Sequence, residues 1–193
     1  MLRVVITTFN NEKFIDPCFA SLRAQKNSRF TVDLVDDAST DATVEMAIAA
    51  CEGDSRFRIH RLDQNQGPYG AFFAATERLH ADDEDVIVWV DCDDQLATAD
   101  SLAIVAATYA ETDCWLTYGS YVNSSKQRIG RPYAHRTIFN NAYRQAPWLA
   151  SHLKTFKVAL WKQIDATELK DQAGSWLSCR KDDQSMMMSA NRE

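Results

Sequence analysis

Two hydrophobic periods take turns along the first part of the chain. Residues 3–8 contain a short apolar, β-branched run (Val4, Val5, Ile6) that predicts a strand. Residues 12–25 then carry Phe14, Ile15, Cys18, Phe19 and Leu22 at helical spacing. Residues 30–35 predict a second strand ending at Asp36-Asp37, and Ser39-Thr40-Asp41 supply capping side chains for a helix reaching about residue 50. Residues 56–62 predict a third strand, Asn65-Gln66-Gly67-Pro68 a turn, and residues 69–79 a helix. Residues 85–90 (Asp-Val-Ile-Val-Trp-Val) are almost continuously apolar, the pattern of a central strand covered on both faces. A helix over 101–111 and a strand over 114–118 complete the regular part.

Strands alternating with helices call for right-handed βαβ units and a mainly parallel sheet flanked by helices. The expected fold class is therefore α/β, in one domain. Open sheets of this kind bind ligands beyond the carboxyl ends of their strands. Three polar clusters fall at such ends: Thr7-Thr8-Phe9-Asn10, Asp36-Asp37-Ala38-Ser39 and Asp91-Cys92-Asp93-Asp94. From 123 to 147 the period is lost, and the stretch is polar, basic and aromatic, with Arg128, Arg131, Arg136, Arg144, Tyr133 and Tyr143. It reads as long loops over the site, the natural place for recognition of a ligand. Short helices are expected at 160–164 and 182–192.

Composition narrows the classes. Of 193 residues, 46% are apolar and 25% charged, the balance of a soluble globular domain. No apolar run approaches the ~18 residues that span a bilayer. No basic, then apolar, leader precedes Val4, so the expected location is cytoplasmic, compatible with peripheral association at a membrane. Five cysteines without a CxxC pair read as free thiols in a reducing compartment rather than a disulfide framework or zinc cluster. The net charge of −6 argues against a nucleic-acid partner. An acidic chain that handles an anionic ligand needs local positive charge, and a divalent cation is the simplest source.

Each polar cluster admits a chemical and a plain reading. Carboxylates spaced as in Asp91-Cys92-Asp93-Asp94, directly after a strand, can present oxygens to a hard cation that also holds a pyrophosphate. They also suit a solvated acidic turn capping the next helix. Asp37 can accept the ring N–H of a uracil-like base, or simply end a strand. Asn65-Gln66-Gly67-Pro68-Tyr69-Gly70 sets two glycines around a helix N-terminus, open to close approach by phosphate, or makes an ordinary turn.

Taken in order, Val4-Val5-Ile6-Thr7-Thr8-Phe9-Asn10, Val35-Asp36-Asp37-Ala38-Ser39-Thr40-Asp41, Asn65-Gln66-Gly67 and Asp91-Cys92-Asp93-Asp94 resemble the family-2 inverting glycosyltransferases of the GT-A fold. The resemblance covers about residues 3–118. It implies that Thr8, Phe9 and Asn10, with Glu12 nearby, line a nucleoside pocket closed by Asp37, Asn65 and Gly67. Asp91 and Cys92 would lie near the ribose. Asp93, with Asp91 and Asp94, would hold Mn²⁺ or Mg²⁺ bridging the diphosphate, with His152 as a further ligand. An acidic residue opening a late helix would be the catalytic base, which points to Asp183, with Asp182 as the alternate. On this reading residues 1–118 bind a nucleotide-sugar donor, chiefly a UDP-sugar. Residues 119–193 receive a glycan or other hydroxyl acceptor and carry the base. Family members commonly place a basic residue in the helix after the Asn-x-Gly turn, where this chain has Phe72-Phe73. That departure keeps open a catalytically inactive nucleotide-sugar-binding module. A sugar nucleotidyltransferase or a dinucleotide-binding domain would want a glycine-rich loop after the first strand, which Thr7-Thr8-Phe9-Asn10-Asn11 is not.

Overall fold

The computed structural model describes residues 1–27 and 29–177. β1 (Leu2–Thr8) leads through a 3₁₀ turn into α1 (Ile15–Arg23), and β2 (Phe30–Asp36) into α2 (Thr43–Cys51). β3 (Phe57–Arg61), α3 (Gly67–Glu77), β4 (Val86–Asp91), α4 (Ser101–Glu111) and β5 (Leu116–Gly119) follow. These nine elements fall where the hydrophobic periods put them, within a few residues at each end.

The sheet order is β3-β2-β1-β4-β8-β5, with β8 at Ser151–Lys157 and the first four strands parallel. Alternate residues of the central strands feed two cores. Val4, Ile6, Val32, Leu34 and Val88 pack against Ile15, Phe19 and Leu22 of α1 and Leu102 of α4. Val5, Val35, Ile87 and Trp89 pack against Tyr69 and Phe72 of α3. Each such fully buried side chain contributes about 1.5–3 kcal/mol. Near-continuous apolar strands are what a sheet covered on both faces requires.

The second part of the chain departs from expectation. Residues 123–147, read as loops, contain β7 (Arg128–Ile129), which pairs in a hairpin with β6 (Tyr121–Val122) just before them, and then the short α5 (His135–Phe139). Tyr133 packs edge-on against both Tyr118 and Tyr143, an aromatic knot that anchors this stretch to β5. β8 (Ser151–Lys157) inserts antiparallel between β4 and β5, so the sheet is mainly, not wholly, parallel. The expected helix at 160–164 is α6, Val158–Trp161. The helix expected at 182–192 lies outside the described residues. Among the described residues no helix is long and apolar enough to cross a membrane.

Candidate functional site

β1 has β2 on one side and β4 on the other, so successive connections leave it in opposite directions. Beyond the carboxyl ends of these strands lies a cavity of about 600 Å³, the position at which open α/β sheets hold ligands. Thr7, Thr8, Phe9 and Asn11 form one wall, and Asp37, Asn65, Gly67, Pro68 and Ala71 a second. Trp89, Asp91, Cys92 and Asp93 from β4 and its turn, with His152 and Lys154 from β8, form the third.

The first two walls are stitched together. Asn10 accepts the Thr40 N–H at 2.8 Å on its side-chain oxygen and donates its own N–H to Ser39 Oγ at 2.8 Å. Asn11 N–H donates to Thr43 Oγ1 at 2.8 Å, and Glu12 Oε2 accepts the Ala42 N–H at 3.1 Å. Asp41 Oδ1 accepts the Thr43 N–H at 3.0 Å just ahead of α2, but the N-cap residue is Ala42 and makes no side-chain cap bond, so the 39–41 run falls one residue short of the capping position expected of it. Asn10 and Glu12 therefore serve loop-to-loop bonds and are not among the residues lining the cavity, whereas Thr8 and Phe9 are. Asn10 and Ala38 hold left-handed φ of 54° and 63°, the geometry both sharp turns need.

Asp37 is 3% exposed. Its Oδ1 accepts the Gln66 N–H at 2.7 Å and its Oδ2 the Gly67 N–H at 2.8 Å, while Asn65 donates its amide to the Asp37 carbonyl. The carboxylate thus sits on the N-terminus of α3, where the helix dipole favours a negative charge. Those amides were expected to be open to phosphate; Asp37 already occupies them. Burial pushes the Asp37 carboxyl above its ordinary value, and the two backbone donors offset only part of that.

On the third wall, Asp94 N–H bonds to the Asp91 carbonyl at 3.0 Å, folding the turn back so that both carboxylates face β8. His152 Nε2 lies 2.7 Å from Asp91 Oδ2 and 3.9 Å from Asp94 Oδ2, and ligand atoms of all three residues fall within 4.8 Å of one another. Asp93, the residue given the leading metal role by the motif, stands exposed at the rim, lining the cavity outside this trio. The hydrogen bond that His152 donates to the Asp91 carboxylate raises the His152 pKa. Burial pushes Asp91 up, but His152 and then Lys154 more than offset it, leaving its carboxyl low. Asp94 is pushed up, first by burial, with His152 offsetting part of that and the neighbouring Asp91 and Asp93 adding to it. Two carboxylates and an imidazole suit a divalent cation such as Mn²⁺. Cys92 packs in the core beside Cys18 of α1, whose buried thiol its hydrogen bond helps hold far above the ordinary range. Asp182 and Asp183 lie outside the described residues. Thr7, Asn11, Trp89 and Lys154 were given no role in advance; Thr7 lies inside a quoted motif, Asn11 follows it, Trp89 stands two residues before Asp91, and Lys154 two residues after His152.

A sheet of this topology, with an acidic cavity at its switch point, is the architecture of the GT-A glycosyltransferases. The chain belongs to glycosyl transferase family 2, whose pattern matches residues 3–168. A PGL/p-HBAD biosynthesis glycosyltransferase of Mycobacterium bovis is 33% identical over 127 residues, covering 65% of this chain and 48% of that protein. Staphylococcus aureus TarS residues 1–349, solved in complex with UDP, superposes with a TM-score of 0.72 at 21% identity, over 98% of this chain and 54% of that one. A mannosyltransferase of Pyrobaculum calidifontis, solved with GDP-Man and Mn²⁺, superposes at 0.62 and 21% identity, over 83% and 45%. The chain therefore spans about half the length of these relatives.

Proposed function

We propose that this chain binds a nucleotide-sugar donor, chiefly a UDP-sugar, and transfers the sugar with inversion to an acceptor hydroxyl. The observation that carries the reading is the convergence of ligand atoms of Asp91, Asp94 and His152 beside a switch-point cavity that Asp91, His152 and Asp37 line. The donor complexes of TarS and the Pyrobaculum enzyme support it by fold.

Asp37 faces the cavity with two oxygens whose remaining lone pairs are free to accept a base N–H. Thr8 and Phe9 flank that position, the Gln66 and Gly67 N–H groups hold the Asp37 carboxylate in place, and Asn65 holds its carbonyl. Asp91, Asp94 and His152, with Asp93 at the rim, are the residues to hold Mn²⁺ or Mg²⁺. When bound, such an ion offsets the charge gathering on the departing diphosphate. Asp183, or Asp182, is the acidic residue proposed to take the proton from the acceptor hydroxyl, a task for an ionised carboxylate within hydrogen-bond reach. Residues 119–193 supply the acceptor side, which would be a glycan or other hydroxyl compound, and residues 1–118 the donor side. Work at the cytoplasmic face, peripheral to a membrane, fits this assignment.

Calorimetric titration of UDP with and without Mn²⁺, on the wild type and on Asp94→Ala and Asp93→Ala, tests the donor site. Binding that needs the metal and is lost in Asp94→Ala is the expected result; failure of UDP, GDP and dTDP alike would end the reading. Donor hydrolysis and transfer by wild type but not by Asp183→Asn separate an enzyme from an inactive binding module.

A further inference from the structure

A diphosphate brings more negative charge than one cation offsets, and α3 provides none of the balance. Its contributions to the cavity are Gly67, Pro68 and Ala71. Phe72 beneath them is fully buried and stacks on Trp89 with ring centroids 4.1 Å apart. Among the described residues lining the cavity, the one ammonium or guanidinium group is that of Lys154.

The sheet register places this group. β8 runs antiparallel to β4 with Lys154 opposite Trp89. Residues two apart on a strand share a face. His152 and Lys154 therefore stand on the face that carries Asp91 and Trp89, as the His152–Asp91 bond confirms. Lys154 is 5% exposed, and its Nζ lies 5.3 Å from the centroid of the Trp89 ring, within cation–π range. Trp89, itself 4% exposed, has an Nε1 that finds no hydrogen-bond partner. A buried indole N–H without an acceptor is rare and calls for an explanation, of which a ligand acceptor is one. A seated ammonium and an unmatched N–H donor thus share one wall, next to the acidic trio.

We propose that Lys154, seated on Trp89, receives the diphosphate of the donor nucleotide, with the Trp89 indole N–H as a second donor. The assignment rests on the donor-site reading above and names what balances the phosphate charge on a chain with Phe72 and Phe73 in α3. Lysine acts on phosphate as a point charge, and burial strengthens that attraction. The Trp89–Phe72 stack fixes where the charge sits. Since charge grows on the diphosphate as the glycosidic bond breaks, the contact strengthens along the reaction.

The test compares uridine, UMP and UDP binding by calorimetry with Mn²⁺ present, on wild type, Lys154→Met and Lys154→Arg. Loss of a charge-assisted phosphate contact should weaken UDP at least about tenfold in Lys154→Met while uridine binds unchanged, and Lys154→Arg should recover most of the loss. In turnover assays the Met variant should lose kcat as well as affinity. UDP binding to Lys154→Met as tight as to wild type overturns the proposal and leaves the donor site standing. Equal loss of uridine and UDP also overturns it, showing Lys154 to be a structural residue. Should wild type bind uridine and UDP equally, no phosphate subsite exists; should it bind neither, the donor-site reading itself has failed. If the Met variant does not fold, Lys154→Gln, closer in polarity, is read by the same criteria.

Discussion

His152 Nε2 and Asp91 Oδ2 meet at 2.7 Å across the β8–β4 junction, although 61 residues separate them in the chain. The bond ties the later part of the chain to the cluster that ends the fourth strand. It also sets a protonation pattern. His152 is raised above 6.5 by Asp91, and Asp91 is held below 3.8 by His152 against the push of burial. A raised histidine contributes stability that is complete below 6.5 and fades as pH rises through its folded value. A depressed carboxyl contributes above 3.8 and fades as pH falls through its own. We expect NMR titration of metal-free protein to place the His152 imidazole above 6.5, and Asp91→Asn to lower it. An unmoved His152 in that variant would show that the pair is not coupled.

Asp37 caps α3 with both carboxylate oxygens. Asp37→Ala should cost about 1–2 kcal/mol, the scale of a lost N-terminal cap with its dipole interaction, seen as a lower Tm. Uridine affinity should fall as well. Asp37→Asn keeps one acceptor oxygen and should recover part of the stability but not the base contact, since its amide presents a donor on the other side. Thermal melts and uridine titrations of the two variants check this; equal uridine binding by wild type and Asp37→Asn would remove Asp37 from base recognition.

Ala38 sits at φ 63°, a conformation that costs an L-residue about 1 kcal/mol. Ala38→Gly should therefore leave stability unchanged or raise it slightly, with the strain relief set against the extra freedom glycine has when unfolded. Chemical denaturation measures this directly, and a clear loss would mean that the Ala38 methyl packs usefully at this turn.

Gly119 lets β5 approach β8: a Cβ there would lie 2.7 Å from the His152 carbonyl oxygen and 2.8 Å from the Leu153 nitrogen. Both atoms are backbone, so neither yields easily. Gly119→Ala should destabilise by about 1–3 kcal/mol, the range for overpacking, and displace His152 from Asp91. Lower Mn²⁺ affinity at a given pH, together with a lower Tm, is the expected joint result.

The parallel part of the sheet was legible because it obeys local rules. The Val-rich runs of β1, β2 and β4 are buried on both faces, and helices of fixed period separate them. Asp36-Asp37 and Asp91-Cys92-Asp93-Asp94 could be placed at strand ends from order alone. β8 was not legible. His152, Lys154 and Phe156 share one face while Thr155 bonds Tyr109 and Thr117 on the other, so polar groups occupy both sides and no apolar alternation marks a strand. Its partners β4 and β5 lie earlier in the chain, beyond the reach of any local pattern.

The sequence by itself determined the α/β class, the order and type of the helices and strands through β5 and which polar clusters crowd one edge of the sheet, since periodicity and turn chemistry act between near neighbours. Tertiary structure alone decided which side chains face the cavity. It turned Asn10 and Glu12 to the neighbouring loop, spent the α3 amides on Asp37, brought Asp94 rather than Asp93 to Asp91 and His152, and carried Lys154 onto Trp89. Those outcomes depend on strand register and on hydrogen bonds between loops about 30 residues apart, which no local pattern specifies.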